Sequence, residues 1–144
     1  MNDVERAVQL AIFAHKGQVD KAGKPYIMHP IAVASMQDTE EGFIVGMLHD
    51  VVEDSDLTLD DLLKQGFSNE VVGAVELLTH AKDEDYMTYV KRIKGNELAR
   101  KVKLADLKHN SDLSRLPVVR EKDIKRVENK YKPAIEFLTR SEPI

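Results

Sequence analysis

The sequence predicts an all-α fold. Three observations carry that expectation. Apolar residues recur at intervals of three and four along nearly the whole chain, no β-branched run alternates at period two, and proline or capping side chains open several of the apolar-periodic segments.

Taken in order, the first helix is expected over 2–17, acidic at its start and amphipathic beyond it. Gly17, Gly23 and Pro25 then mark a loop. Pro30 suits the first turn of a helix over 30–37 whose entry falls near His29. A long helix is expected over 40–54. Thr58 with Asp61 forms a variant capping box for a helix over 58–65, and Ser68 caps another over 68–80. Further helices are expected over 84–94 and 96–113. A closing helix over 120–139 has charges alternating in sign at helical spacing, with Ile124, Val127, Tyr131 and Ile135 turned inward. The last four residues, SEPI, are expected to fray.

At 144 residues, of which 42% are apolar and 32% charged, the chain fits one globular domain spanning residues 1–144, with no internal repeat. A net charge of -4 argues against a general nucleic-acid or membrane-surface binder, since a phosphate backbone needs a basic face. With no cysteine, a metal could be held only by histidine and carboxylate. The acidic start and the lack of a long apolar run point to a cytoplasmic protein with no membrane segment. Oligomeric state has no signature in the sequence.

The stretch GMLHDVVEDSD, residues 46–56, sets burial against charge. On a continuous helix His49, Asp50, Glu53 and Asp54 fall within an arc of about 140°, with Gly46 among them, while Ile44, Val45, Leu48, Val51 and Val52 take the opposite side. Carboxylates crowded into one turn near a helix C-terminus repel each other and oppose the macrodipole. A solvated acidic face is one reading and a bound cation is the other. Gly46 favours the cation, because glycine inside a helix costs about 1 kcal/mol and marks a close approach. His29, at a helix entry that keeps its ring neutral, is either a capping or core histidine or a ligand. Asp106 points out of the largely apolar stripe that includes Ala99, Val102 and Leu113, so it needs a metal or the nearby Lys103 to offset its burial. Together His29, His49, Asp50 and Asp106 would suit Mn²⁺, Fe²⁺ or Zn²⁺, with Glu53 and Asp54 a turn away to exchange protons with water at the site.

The segments GKPYIMHPIAVA, MLHDVVEDSDLTLDDL and VKLADLKHN, read together, resemble the metal-dependent HD phosphohydrolases. Within these they are similar to the alarmone hydrolase domain of the RelA/SpoT family and its stand-alone small hydrolases, over residues 3–116. The resemblance implies an HD-domain helical bundle with Mn²⁺ held by His29, His49, Asp50 and Asp106. It also implies that Glu53 and Asp54 handle the nucleophilic water, that Asn110 contacts the ribose, and that Lys21 and Tyr26 line the nucleotide pocket. The reaction it implies removes the 3′-pyrophosphate from (p)ppGpp, and a chain of 144 residues is expected to be a hydrolase without the family's synthetase half.

Two positions depart from the family pattern. Asp20 and Asp112 stand where arginine is usual, and a carboxylate can neither stack on a base nor fork onto phosphate. The segment between His29 and His49 is also shorter than in the family, by roughly one helical turn. Hydrolysis of a different phosphorylated nucleotide, or nucleotide binding without turnover, are therefore alternatives. Lys103 and Lys21 could meet phosphate or lie on the surface. His15 is expected to close the first helix, His80 to end another without a chemical part, and His109, on the Asp106 face, to orient a ligand or pack beside the site rather than ligate.

Overall fold

A computed structural model describes residues 1–140, and the expected fraying of SEPI lies outside them. The order is α1 (Asp3–His15), α2 (Met28–Ser35), α3 (Glu40–Leu48), α4 (Val51–Asp54), α5 (Leu59–Lys64), α6 (Asn69–Leu78), α7 (Tyr86–Lys94) and α8 (Glu97–Ser111), followed by a 3₁₀ turn (Leu113–Arg115). Then come α9 (Glu121–Arg126), a π-helical segment (Val127–Tyr131) and α10 (Lys132–Thr139). Among the described residues no β-strand forms; Val19 and Pro25 make an isolated bridge in the loop after α1.

The expected caps are present. Thr58 accepts from the Asp61 N–H while Asp61 accepts from the Thr58 N–H, and Ser68 accepts from Val71. Asn2, Asp85 and Asn96 open α1, α7 and α8 in the same way. α3 is the hub, packed against α1, α2, α6 and α8, and α8 also meets α7 and α10. Val33, Val45, Leu48, Val51, Val75, Val90, Val102 and Leu107 form the centre of the core.

Three expectations are corrected. The helix expected over 30–37 starts at Met28, so Pro30 occupies its third position, where its missing N–H is still one of the unpaired donors of a helix start. The helix expected over 40–54 is interrupted at His49 and Asp50, with Asp50 at φ -103°, ψ -1°, and resumes as α4. The closing helix is not uniform: Lys132 N–H reaches back to Val127 O across a wide π turn, just ahead of Pro133, which has no N–H to continue an α-helical ladder. That turn changes the buried face. Ile124, expected inward, is 48% exposed, while Asp123, Ala134 and Leu138 are buried.

Candidate metal centre

Three elements bring the charged residues together. α2 carries His29, the turn between α3 and α4 carries His49 and Asp50, and α8 carries Lys103, Asp106, His109 and Asn110. Gly46 makes the approach of α2 to α3 possible. A Cβ there would sit 2.7 Å from the Cα of Ala34 and 2.9 Å from its N, so only glycine fits without moving backbone.

His29 and His49 are each 3% exposed and Asp106 is 6% exposed, while Asp50 is half-buried and Glu53 and Asp54 are exposed, so the acidic face is buried at its His49–Asp50 end and solvated one turn on. His29 Nε2 lies 2.8 Å from Asp106 Oδ1 and 3.7 Å from Asp50 Oδ2. His49 Nε2 lies 3.1 Å from Asp50 Oδ2 and 3.5 Å from Asp106 Oδ1. Ligands bonded at about 2.1 Å to one ion sit about 3 to 3.5 Å apart, so these spacings suit a shared cation. His29, His49 and Asp50 form such a group by themselves, each offering an atom within 4.8 Å of the others. The donor chemistry agrees. His49 Nδ1–H donates to the Gly46 carbonyl at 2.6 Å, which turns Nε2 toward the two carboxylates, and that atom is buried without a hydrogen-bond partner.

Electrostatics point the same way. Burial opposes charge throughout, yet Asp50 and Asp106 raise the pKa of His49 well above the ordinary histidine value. Burial also works against ionised Asp50, but the His49 ring beside it holds its carboxyl down at about 2. For Asp106, burial is outweighed by the Lys103 ammonium and the two imidazoles, which push it well below the carboxylate range. The cluster is built to hold positive charge, and a divalent ion supplies more of it than a proton can.

A surrounding layer orients these groups. Lys103 Nζ donates to Asp106 Oδ2 at 2.8 Å, Asn110 donates to Asp106 Oδ1 at 3.2 Å, and the Tyr26 hydroxyl donates to Asp50 Oδ2 at 2.6 Å. Of the two answers to the burial of Asp106, the lysine is observed on one oxygen, and the other oxygen faces the imidazoles. His29 Nδ1 is 2.7 Å from His109 Nδ1. Glu53 is held by the His80 N–H at 2.8 Å. Asp54, at the rim, has its pKa pushed up to about 6 by partial loss of solvent and by the charges of Asp50 and Glu53. His15 ends α1 as expected, buried and bonded to Gln18, which also donates to the Asp54 carbonyl.

Two clefts flank the cluster. One, of about 310 Å³, includes Lys21, Tyr26, His29 and Asn110, and also Arg115 and Arg126, two cations that sequence reasoning did not single out. The other, of about 200 Å³, is strongly polar and runs from His49, Asp50 and Glu53 to His80, Tyr86 and Lys130. His80 thus has more contact with the site than expected. Nothing in its spacing marks it; the chain simply returns there after α6. Asp20 and Asp112 both reach the larger cleft, but each also organises its own loop. Asp20 accepts from the N–H groups of Ala22 and Lys24, and Asp112 accepts from Ser114.

A helical protein whose histidine and aspartate pair, His49 and Asp50, meets a second histidine, His29, with Asp106 beside both rings, presents a candidate His–Asp cation site. More particularly, the chain belongs to the HD-domain family, whose model, described as HD domain, matches residues 7–110. It is 32% identical over 152 residues to a guanosine-3′,5′-bis(diphosphate) 3′-pyrophosphohydrolase of Borreliella burgdorferi, covering 92% of this chain and 22% of that protein. It is 31% identical over 122 residues to the bifunctional (p)ppGpp synthase/hydrolase SpoT of Escherichia coli, covering 74% of this chain and 17% of the relative. The chain thus spans about a fifth of the length of these relatives. Among solved structures it is similar to a metazoan ortholog of SpoT that hydrolyses ppGpp, with a TM-score of 0.81 and 24% identity, covering 96% of this chain and 86% of that one. That likeness shows the all-α HD fold. No helix among the described residues is long and apolar enough to cross a membrane.

Proposed function

We propose that this chain is a Mn²⁺-dependent phosphohydrolase that removes pyrophosphate from the 3′ position of guanosine 3′,5′-bis(diphosphate), acting in the cytoplasm. The observation that carries this reading is the cation-seeking set of His29, His49, Asp50 and Asp106, largely buried, with His49 Nε2 unpartnered. The names of the similar proteins supply the substrate. Bound among these four residues, the ion would polarise a phosphoryl oxygen and acidify water at the site.

The chain's own residues do the rest. The His80 N–H fixes one oxygen of Glu53 and leaves the other to accept a proton from the attacking water. Asp54, with its pKa near 6, is placed to take up and return a proton near neutrality. Lys21 and Asn110 line the larger cleft and contact the nucleotide, with Arg115 and Arg126 adding positive charge where Asp20 and Asp112 do not. Tyr26 shares that cleft, but its hydroxyl is committed to Asp50, and Lys103 is committed to Asp106. Both act mainly by holding the ligand carboxylates, with phosphate contact by Lys103 limited to the polar cleft it borders.

The test is release of pyrophosphate from ppGpp by purified protein with Mn²⁺, alongside a panel of other 2′- and 3′-phosphorylated nucleotides. No turnover of ppGpp with turnover of another member would move the substrate, a reading that the carboxylates of Asp20 and Asp112 in the cleft favour. Glu53→Gln separates an enzyme from a binding module: the rate should fall at least a hundredfold, as for loss of a general base, with metal affinity retained.

A further inference from the structure

The two clefts meet at the candidate cation site. Tyr26, Asn110 and Tyr131 line both; from there the larger cleft runs to Lys21 and Arg126, and the polar one to Glu53, His80 and Lys130. In the proposed reaction Lys21 and Asn110 hold the nucleotide in the larger cleft. The polar cleft is then left for the 3′-diphosphate that is removed.

Most of what lines the polar cleft is ill suited to an anion. Asp50, Glu53 and Asp106 border it, and carboxylates repel phosphate. Lys103 adds little against this, because its ammonium is spent on Asp106 at 2.8 Å. Lys130 is placed differently. Its Nζ lies 4.5 Å from the centroid of the Tyr86 ring and 5.9 Å from that of Tyr131, and no described carboxylate pairs with it. Glu128, two residues back, goes to Lys132 at 3.9 Å instead. A ring face steadies an ammonium without neutralising it. Tyr86 also has the Lys103 Nζ 5.8 Å from its centroid, so one ring spaces a neutralised ammonium from one whose charge is unspent. Partial burial holds Lys130 below the ordinary lysine value, and the Lys103 and Arg126 cations add to that, with Asp106 and Glu53 opposing. The residue is still exposed, so a ligand can reach it.

We propose that Lys130 is a substrate-binding residue, its ammonium donating to phosphate oxygens of the 3′-diphosphate in the polar cleft. It lies past residues 7–110, which the HD-domain model matches, so family membership gives it no part. The closing segment serves both clefts: Arg126, just ahead of the π turn, reaches the larger one, and Lys130, within the turn, reaches the polar one. The inference deepens the proposed function and rests on it.

The test is equilibrium dialysis of the full chain with labelled pyrophosphate and, separately, with GDP. One fixed free Mn²⁺ concentration keeps complexation in solution the same for every variant. Lys130→Met keeps the stem and removes the charge; Lys130→Arg keeps the charge. Lys130→Met should bind pyrophosphate about tenfold more weakly, as for loss of one charge-assisted hydrogen bond, and GDP within about twofold of wild type. Lys130→Arg should hold pyrophosphate within about threefold. In turnover of ppGpp, Lys130→Met should raise KM more than it lowers kcat. Its Tm in EDTA and its Mn²⁺ affinity should match wild type, since the side chain is exposed. Lys130→Met with wild-type affinity for pyrophosphate overturns the inference. An equal loss of GDP affinity does so too, since it would mark a general loss of charge. Wild type that takes up Mn²⁺ but neither binds pyrophosphate nor releases it from ppGpp removes the substrate of the proposed function and the role of Lys130 with it. Wild type that does both, with Lys130→Met indistinguishable from it, removes the role of Lys130 alone.

Discussion

Gly46→Ala tests whether the meeting of α2 and α3 sets the site. The new Cβ would lie 2.7 Å from the Ala34 Cα, 2.9 Å from its N and 3.2 Å from its Cβ. Carbon atoms pack at about 3.5 to 4.0 Å, so α2 must retreat by about 1 Å, and no side-chain rotation can avoid it because the obstacle is backbone. Overpacking of this kind costs about 1–3 kcal/mol, against which alanine in a helix returns up to about 1 kcal/mol. The net expectation is a loss of about 1–2 kcal/mol, or roughly 3–8 °C in Tm for a chain of this size. The functional loss should be larger. α2 carries His29 while the turn after α3 carries His49, and a metal site tolerates about 0.5 Å of displacement, so Mn²⁺ affinity should fall about tenfold or more. Thermal unfolding in EDTA and Mn²⁺ titration measure the two effects separately. Gly73→Ala is the control: it lies in α6 with nothing within 4 Å of the added carbon and should stabilise by up to about 1 kcal/mol. If Gly46→Ala matched wild type in both Tm and Mn²⁺ affinity, the argument from close approach would be refuted.

Other outcomes follow from the same geometry. Asp54 has a folded pKa near 6, above the unfolded carboxylate value, so its contribution to stability is full below about pH 4 and lost as pH rises through 6. In EDTA at pH 7, Asp54→Asn should therefore stabilise by about 1 kcal/mol, discounted for the wet rim, while turnover falls; a less stable variant by urea titration would contradict this. Lys103→Met leaves Asp106 buried beside no ammonium and should destabilise metal-free protein by about 3 kcal/mol, with Mn²⁺ restoring part of the loss in a thermal scan. Wild type at a Mn²⁺ concentration a hundred times its Kd should gain about 2.7 kcal/mol over the same protein in EDTA. Asp20→Arg removes the acceptor for two loop N–H groups and should cost about 1–2 kcal/mol, whereas Asp20→Asn, which can still accept, should cost less than half of that in chemical unfolding.

The helices were legible because each buries one stripe, and a stripe at period 3.6 survives in sequence whatever it packs against. Interruptions were not. The break at His49 and Asp50 lies within an unbroken apolar pattern, and the π turn shows itself only as Pro133 lying well inside a closing segment that stays helical past it. The four candidate ligands could be found because their charge contradicts the apolar surroundings of their helices. Arg115, Arg126, Lys130 and Tyr86 could not, since each is a common surface residue type brought to the clefts by tertiary packing. Lys103 answers the burial of Asp106 with one oxygen only: the other lies against the His29 ring.

The π turn at Val127–Tyr131 makes the closing segment a shaft with a built-in twist. Ahead of it Arg126 addresses the larger cleft; behind it Ala134 and Leu138 anchor in the core. Removing one residue from the wide turn would restore regular winding and rotate one half against the other by about 100°. The anchor would hold, since apolar burial outweighs a half-buried guanidinium, and the arginine would swing off the cleft. A one-residue deletion could thus alter what the cleft accepts while every helix stays intact.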